Sequence, residues 1–309
     1  MVNVHWKQIE QPLFRWTSSV ERIICAHKLP EFSGTDVLIA SDYSGSHASS
    51  KYQVISTLYI DMKTLGQWET TRRAIRQQFL PDGRRLSFKA LNDKKRRKIL
   101  IPFLRVADLL PALSVTIAIK KSLGNLCLNE EELLPAKESF GLQCQWKHKQ
   151  LETTMRVAHL ISILVAGLSA PKQNIYWISD EDELFANPSR SGDLQRILGK
   201  FTGHYVKHEL GELGIGTTTL DEGDRLEEDL AAIPDLIAGA VSEVTTRLSE
   251  IAGGRITPTI AIPVYERFSP KTEIINSWIW ERGSFLKRIV IIFDNYKNGI
   301  TIFNLGQME

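Results

Sequence analysis

Between residues 112 and 170 the hydrophobic period of the chain changes, and a sequence that carries both periods clearly has few ways to fold. In ALSVTIAIKK, residues 112–121, Leu113, Val115, Ile117 and Ile119 fall on one side. Ser114, Thr116 and Ala118 fall on the other, which is the period of two of a strand. From Trp146 to Ala170 the apolar positions step by three or four instead, through Leu151, Met155, Ala158, Ile161, Val165 and Leu168, with more apolar residues flanking the stripe. Pro171 stops that helix. A strand and a helix of this kind must bury their apolar sides against other layers.

The rest of the chain supplies those layers. DVLIASD and YQVISTLYID read as two strands, and the Gly/Ser loop between them predicts an antiparallel hairpin. Residues 64–108 read as helical and basic, with QWETTRRAIRQQF ending at Pro81-Asp82-Gly83 and LNDKKRRKILIPFLRVADLL capped by Asn92 or Asp93. After the long helix come a short strand, NIYWIS, running into the acidic knot DEDE, then a helix in SRSGDLQRILGKF and a strand in YVKHELGELGIG. IPDLIAGAVSEVTTRLSEI predicts a helix that Pro234 opens at its first position. Alternating strands and helices in the second half predict an α/β fold with some parallel strands. The chain divides into an N-terminal extension (1–34) with Trp6, Phe14, Trp16 and a helix near SSVERIICAHK, a core (35–254) with its basic helical insertion at about 64–108, and a C-terminal extension (255–309). That last part reads as a Ser-Pro-capped helix and a hairpin turning at DNYKNG.

Composition excludes more than it assigns. Apolar residues at 43% and charged residues at 24% describe an ordinary globular chain, and a net charge of +2 carries no bulk signal for a polyanion. Three cysteines without a C-x-x-C pair disfavour a disulfide framework and a structural zinc site. The first residues lack a signal-peptide layout, and HLISILVAGLSA is too short to span a bilayer. The expectation is a cytoplasmic protein with no membrane anchor.

Three aspartates occupy special places in this order. Asp42 ends the first strand, Asp180 ends the strand IYWIS, and Asp235 follows Pro234 in the first turn of the last core helix. Each has an ordinary explanation: Asp-x-Ser-Gly is good turn chemistry, and an acid suits a helix N-terminus. Brought together they would repel one another unless a cation neutralised them, and hard oxygen ligands favour Mg²⁺ or Mn²⁺. Such ions support in-line hydrolysis of phosphodiesters. Asp182 is a neighbour that a one-residue shift of the strand end would exchange with Asp180.

The element order and these motifs resemble the ribonuclease H-like fold and, within it, the bacterial domain-of-unknown-function family 3800. The matching stretches are Asp42-Tyr43-Ser44-Gly45, Lys89 in SFKALND, Asp180 in WISDED and Asp235 in IPDLIAGA, within about residues 35–250. Tyr43 stands where an acidic residue is usual, Pro234 where alanine is usual, and Glu152 is the one candidate for an acid near the start of the long helix. The resemblance implies a mixed sheet flanked by helices, with Asp42, Asp180 and Asp235 as metal ligands, and Asp182 taking the place of Asp180 if the strand end shifts by one residue. It implies Lys89 as a site cation.

The segment from Arg72 to Arg105 is dense in basic residues, among them Arg84, Arg85, Arg96, Arg97 and Lys98. Such runs are usually solvated helix faces; here they would also offset the carboxylates where a phosphate backbone approaches. His204 and His208 carry no metal motif, and GIG at 214–216 has no dinucleotide context. The leading expectation is a metal-dependent nuclease acting on RNA or DNA. Its rival is a non-catalytic binding or assembly module with a degenerate site, in a multi-protein bacterial system of defence type. In that rival the aromatic C-terminal segment INSWIWERGSF contacts a protein partner or a second copy.

Overall fold

β1 (Asp36–Ser44) and β2 (Tyr52–Asp61) pair antiparallel from Val37–Asp61 to Ser44–Val54, the hairpin that the Gly/Ser loop predicts. Gly45 turns the chain at φ +81°, where a Cβ would stand 2.0 Å from the Tyr52 carbonyl oxygen. Only glycine fits there. β3 (Ala112–Lys120) pairs antiparallel with β2 along its length. β4 (Asn174–Ser179) runs parallel to β1, and β5 (Leu213–Thr217) runs parallel to β4. The computed structural model describes residues 6–179, 188–221, 223–257, 268–297 and 299–305.

The sheet has seven strands in the order β5-β4-β1-β2-β3-β6-β7. Its first five follow the ribonuclease H-like arrangement: a three-stranded meander extended by two parallel strands on the β1 side. The C-terminal segment adds to the other side, where β6 (Lys287–Tyr296) lies parallel to β3 and β7 (Gly299–Asn304) closes the hairpin.

Helices cover both faces. Alternate residues of the strands divide between two apolar clusters, as the pleat requires. Val37, Ile39, Ile55, Leu113, Val115 and Ile117 pack beneath α5 (His148–Leu168), with α1 (Thr17–Cys25), α4 (Leu133–Phe140) and α6 (Pro188–Tyr205) outside it. Leu38, Ala40, Val54, Leu58 and Ala118 pack beneath α7 (Leu226–Ile251). Around α7 lie α2 (Gly66–Phe79), α3 (Lys94–Ala107) and α8 (Pro270–Trp280). α5 is long and apolar enough to cross a membrane, yet 94% of its most apolar stretch is buried inside the protein. It is a core helix.

Three local expectations need correction. α7 begins at Leu226, ahead of Pro234, so that proline lies inside a 26-residue helix and Asp235 is not in its first turn. Proline removes one helical hydrogen bond, but Glu227, Glu228, Leu230, Ala231 and Ala232 are sound helix formers, and packing on β1, β2 and α8 holds the helix across the gap. β1 continues to Ser44, so Asp42 lies within the strand, opposite Ser56. His204 sits in the last turn of α6 and His208 in the loop beyond it; their rings bond the Gln11 carbonyl and the Ser169 hydroxyl separately.

Candidate functional site

Asp42 shares the pleat side of Leu38 and Ala40, the side that α7 covers. Directly across the strands from it stand Ser56 and then Thr116, whose hydroxyls bond each other at 2.8 Å. This row of short polar side chains brings the half-buried carboxylate under the helix without steric conflict.

On α7, Asp235, Gly239, Ser242 and Thr246 are spaced by four, three and four residues, one stripe of the helix. The stripe meets two loops. At one end the Asp235 carboxylate accepts the Phe88 amide at 2.5 Å. One turn on, the Phe88 ring lies over Gly239, where a Cβ would stand 2.2 Å from the ring. At the other end Ser242 and Thr246 bond Ser50, and Ser242 lies against Gly45, in the loop that leaves β1 after Asp42. Asp235 and Asp42 are thus carried by surfaces that pack on each other.

The described pairing of β1 with β4 ends at Ser41–Ser179, one residue before Asp42 and Asp180. Asp180 and Asp182 lie outside the described residues. Asp42 and Asp235 form no metal-sized group with any third described acid. Among the described residues one such group exists, Asp221, Asp224 and Glu227, with oxygens within 4.8 Å of one another at the start of α7. Its members have local tasks. Asp221 accepts the amides of Gly223, Arg225 and Glu228. Burial would raise its carboxyl, but these donors hold it below the usual range. Asp224 pairs with Arg72 and Arg73. Glu227 is raised by burial and by its acidic neighbours.

Lys89 opens a short 3-10 turn, Lys89–Asn92, and is exposed beside the Phe88 amide that Asp235 holds. The basic segment is less free than its composition suggests. Arg72 and Arg76 are buried and clamp Asp229 between them, with contacts of 3.0, 2.6 and 2.5 Å. Arg84 pairs with Asp82 and Arg85 with Glu228. Arg96 and Arg97 donate to the carbonyls of Arg85, Leu91 and Asn92, pinning the loop ahead of α3. Asp93, not Asn92, caps that helix. Exposed lysines remain: Lys89, Lys94, Lys95 and Lys98.

Glu152 is buried and taken up by Arg156 and by the amides of Leu126 and Cys127, beneath the opposite face. It serves the loop, not the site. α8 packs on α7 and α3; Trp278 and Ile279 are buried, and the Trp278 indole donates to Asp108. The helix therefore does not present the row of aromatics that INSWIWERGSF suggests; Phe285 beyond it is exposed.

No family model matches the chain, and no curated protein matches it. Among solved structures it is similar to ribonuclease HII of Archaeoglobus fulgidus, determined in a complex with PCNA, at 15% identity and a TM-score of 0.35, over 79% of this chain and 88% of that one. It is also similar to ribonuclease H2 of Pyrococcus horikoshii, at 14% identity and a TM-score of 0.34, over 79% and 85%. No residue here takes a role from either. The fold assignment stands on the strand order.

One residue escaped the reading of the sequence altogether. Lys271, in the first turn of α8, places its ammonium 2.9 Å from the Phe88 carbonyl oxygen and 4.1 Å from the centroid of the Phe88 ring. Burial lowers its pKa, against the pull of Glu243 and Asp235. The signal was present: a lysine just after a Ser-Pro helix start opposes the helix dipole and calls for another partner.

Proposed function

We propose that the chain is a metal-dependent phosphodiesterase acting on nucleic acid, built on the ribonuclease H-like sheet and related to domain-of-unknown-function family 3800. The observation that carries this reading is the packing of the Asp235 stripe of α7 against the end of β1 that bears Asp42. Carboxylate oxygens from separate elements are the donor set that suits Mg²⁺ or Mn²⁺, with Asp42, Asp235 and Asp180 as the holding residues and Asp182 as the alternate. One or two such ions would supply charge neutralisation on the phosphate and favour in-line displacement.

The chain's own residues have separable parts in this scheme. The Phe88 amide fixes the orientation of the Asp235 carboxylate. Lys89, exposed on the following turn, offers a cation to a phosphate oxygen. Lys94, Lys95 and Lys98 extend positive charge along α3 for the rest of the backbone. Labelled RNA and DNA oligonucleotides incubated with the chain and Mn²⁺ test the reading. Cleavage that chelator and Asp235→Asn both abolish supports it; no cleavage of either, despite metal binding, favours a second reading.

That second reading is a binding or assembly module on the same fold, in a bacterial multi-protein system. Two observations favour it. Tyr43 stands where the family it resembles carries an acid, and its hydroxyl bonds the Ser41 hydroxyl at 2.6 Å on the α5 side of β1. Glu152 is enclosed with Arg156 instead of facing Asp42.

A further inference from the structure

We infer that Lys271 is a positioning residue for the carboxylate site: it holds the Lys89 turn against Asp235 and sets a positive charge beside whatever ion or phosphate occupies the site. The inference rests on the reading of Asp42 and Asp235 as a metal and phosphate site.

Its basis is a continuous chain of contacts running from the C-terminal segment to Asp235. Glu243 of α7 accepts the Ser269 amide at 2.9 Å and the Thr272 hydroxyl at 2.8 Å, which fixes the first turn of α8. Lys271 projects from that turn to the Phe88 carbonyl at 2.9 Å and the Asn92 amide oxygen at 3.3 Å. Phe88 in turn is seated on Gly239, gives its amide to Asp235 and carries the ammonium over its ring. One residue is thereby gripped through its amide, its carbonyl and its ring, and Lys89 follows it directly. An ammonium has three donors, and two are accounted for by these acceptors. A neutral donor would satisfy the Phe88 carbonyl equally well. A charge at this point is half-buried, faces the carboxylates Asp235 and Glu243, and acts on anything they bind.

The two roles of such a charge have opposite signs, which makes them separable from a simple strut. An ammonium repels a divalent cation and attracts phosphate. Full-length Lys271→Gln keeps a hydrogen-bond donor and removes the charge; Lys271→Arg keeps the charge. Mn²⁺ affinity is read by calorimetry, and affinity for a labelled mixed-sequence single-stranded oligonucleotide by anisotropy at low salt. Lys271→Gln is expected to bind Mn²⁺ about threefold to tenfold more tightly and the oligonucleotide several-fold more weakly, with Lys271→Arg near native in both. Unchanged affinities in Lys271→Gln, or a parallel weakening of both that Lys271→Arg does not rescue, would overturn the inference while leaving the metal site standing. A native chain that binds no Mn²⁺ would remove the underlying reading, and this inference with it.

Discussion

The two faces of the sheet handle charge in different ways. Beneath α5, Glu152 and Arg156 are buried together and His159 is fully buried, its ring bonded to Thr17 and set among Phe14, Trp16, Phe201 and Tyr205. Beneath α7, Asp42 and Asp235 are half-buried, Lys271 acts on Asp235 from the side, and the exposed Lys89 directly follows Phe88, whose amide Asp235 accepts. Charge on the first face is enclosed and stabilises the fold. On the second the clamp of Arg72 and Arg76 on Asp229 is enclosed as well, but Asp42 and Asp235 stay within reach of a ligand.

The largest effect is expected on the α5 side. Glu152→Ala leaves the Arg156 guanidinium buried without its carboxylate, which typically costs about 3–5 kcal/mol. Urea denaturation measures it. A cost below ~1 kcal/mol would mean that this face is more open to water than its burial indicates.

His159 gives the same contrast a pH dependence. Burial drives its pKa from 6.5 to about 3. The folded chain keeps the ring neutral while the unfolded chain takes up a proton below the ordinary value. The stability present above about pH 6.5 is therefore lost as pH falls toward 3, at ~1.4 kcal/mol per pH unit for this one group. Subtracting the pH profile of His159→Leu from that of the native chain isolates the contribution. Superimposable profiles would show the ring to be solvated.

At the two half-buried acids of the α7 side the same kind of change should leave the fold nearly untouched. Asp42→Asn and Asp235→Asn are expected to shift stability by less than ~1 kcal/mol, since each removes a charge that is only half-buried. A loss comparable to that of Glu152→Ala would erase the distinction between the faces.

The smallest effect concerns the surface. Changing Lys94, Lys95 and Lys98 to glutamine should flatten the salt dependence of single-strand binding by about 2 in log–log slope, at ~0.7 per phosphate contact. Arg96→Gln with Arg97→Gln should lower stability more than it changes that slope, because those side chains pin the loop before α3. The reverse outcome would assign the phosphate track to the arginines.

Much of this organisation could be read from the sequence. The strict alternation of residues 112–120 and the Gly/Ser loop after Asp42 identify β3 and the first hairpin, because period and turn chemistry are local properties. The start of α7 could not be read that way. Pro234 looks like a helix opening, and only the packing of the finished helix on β1, β2 and α8 overrides it. The Asp229 clamp joins residues 153 positions apart, so Arg72 and Arg76 appear in the sequence as members of a basic run when they are in fact enclosed. Of the proposed site, the sequence singled out Asp42, Asp235 and Lys89, with Asp180 and Asp182 outside the described residues. Lys271 was missed because it arrives from a segment read as an extension, whose strand β6 lies in the same sheet.

A Mn²⁺ titration by calorimetry, run on the native chain, Asp42→Asn and Asp235→Asn at equal concentration, addresses the proposed site most directly. The expected result is saturable binding to the native chain and an affinity at least about tenfold weaker in each variant, since each loses one charged oxygen ligand. Melting temperatures should stay close to native. Binding of equal strength in all three proteins, or none in the native chain, would contradict a metal site between β1 and α7.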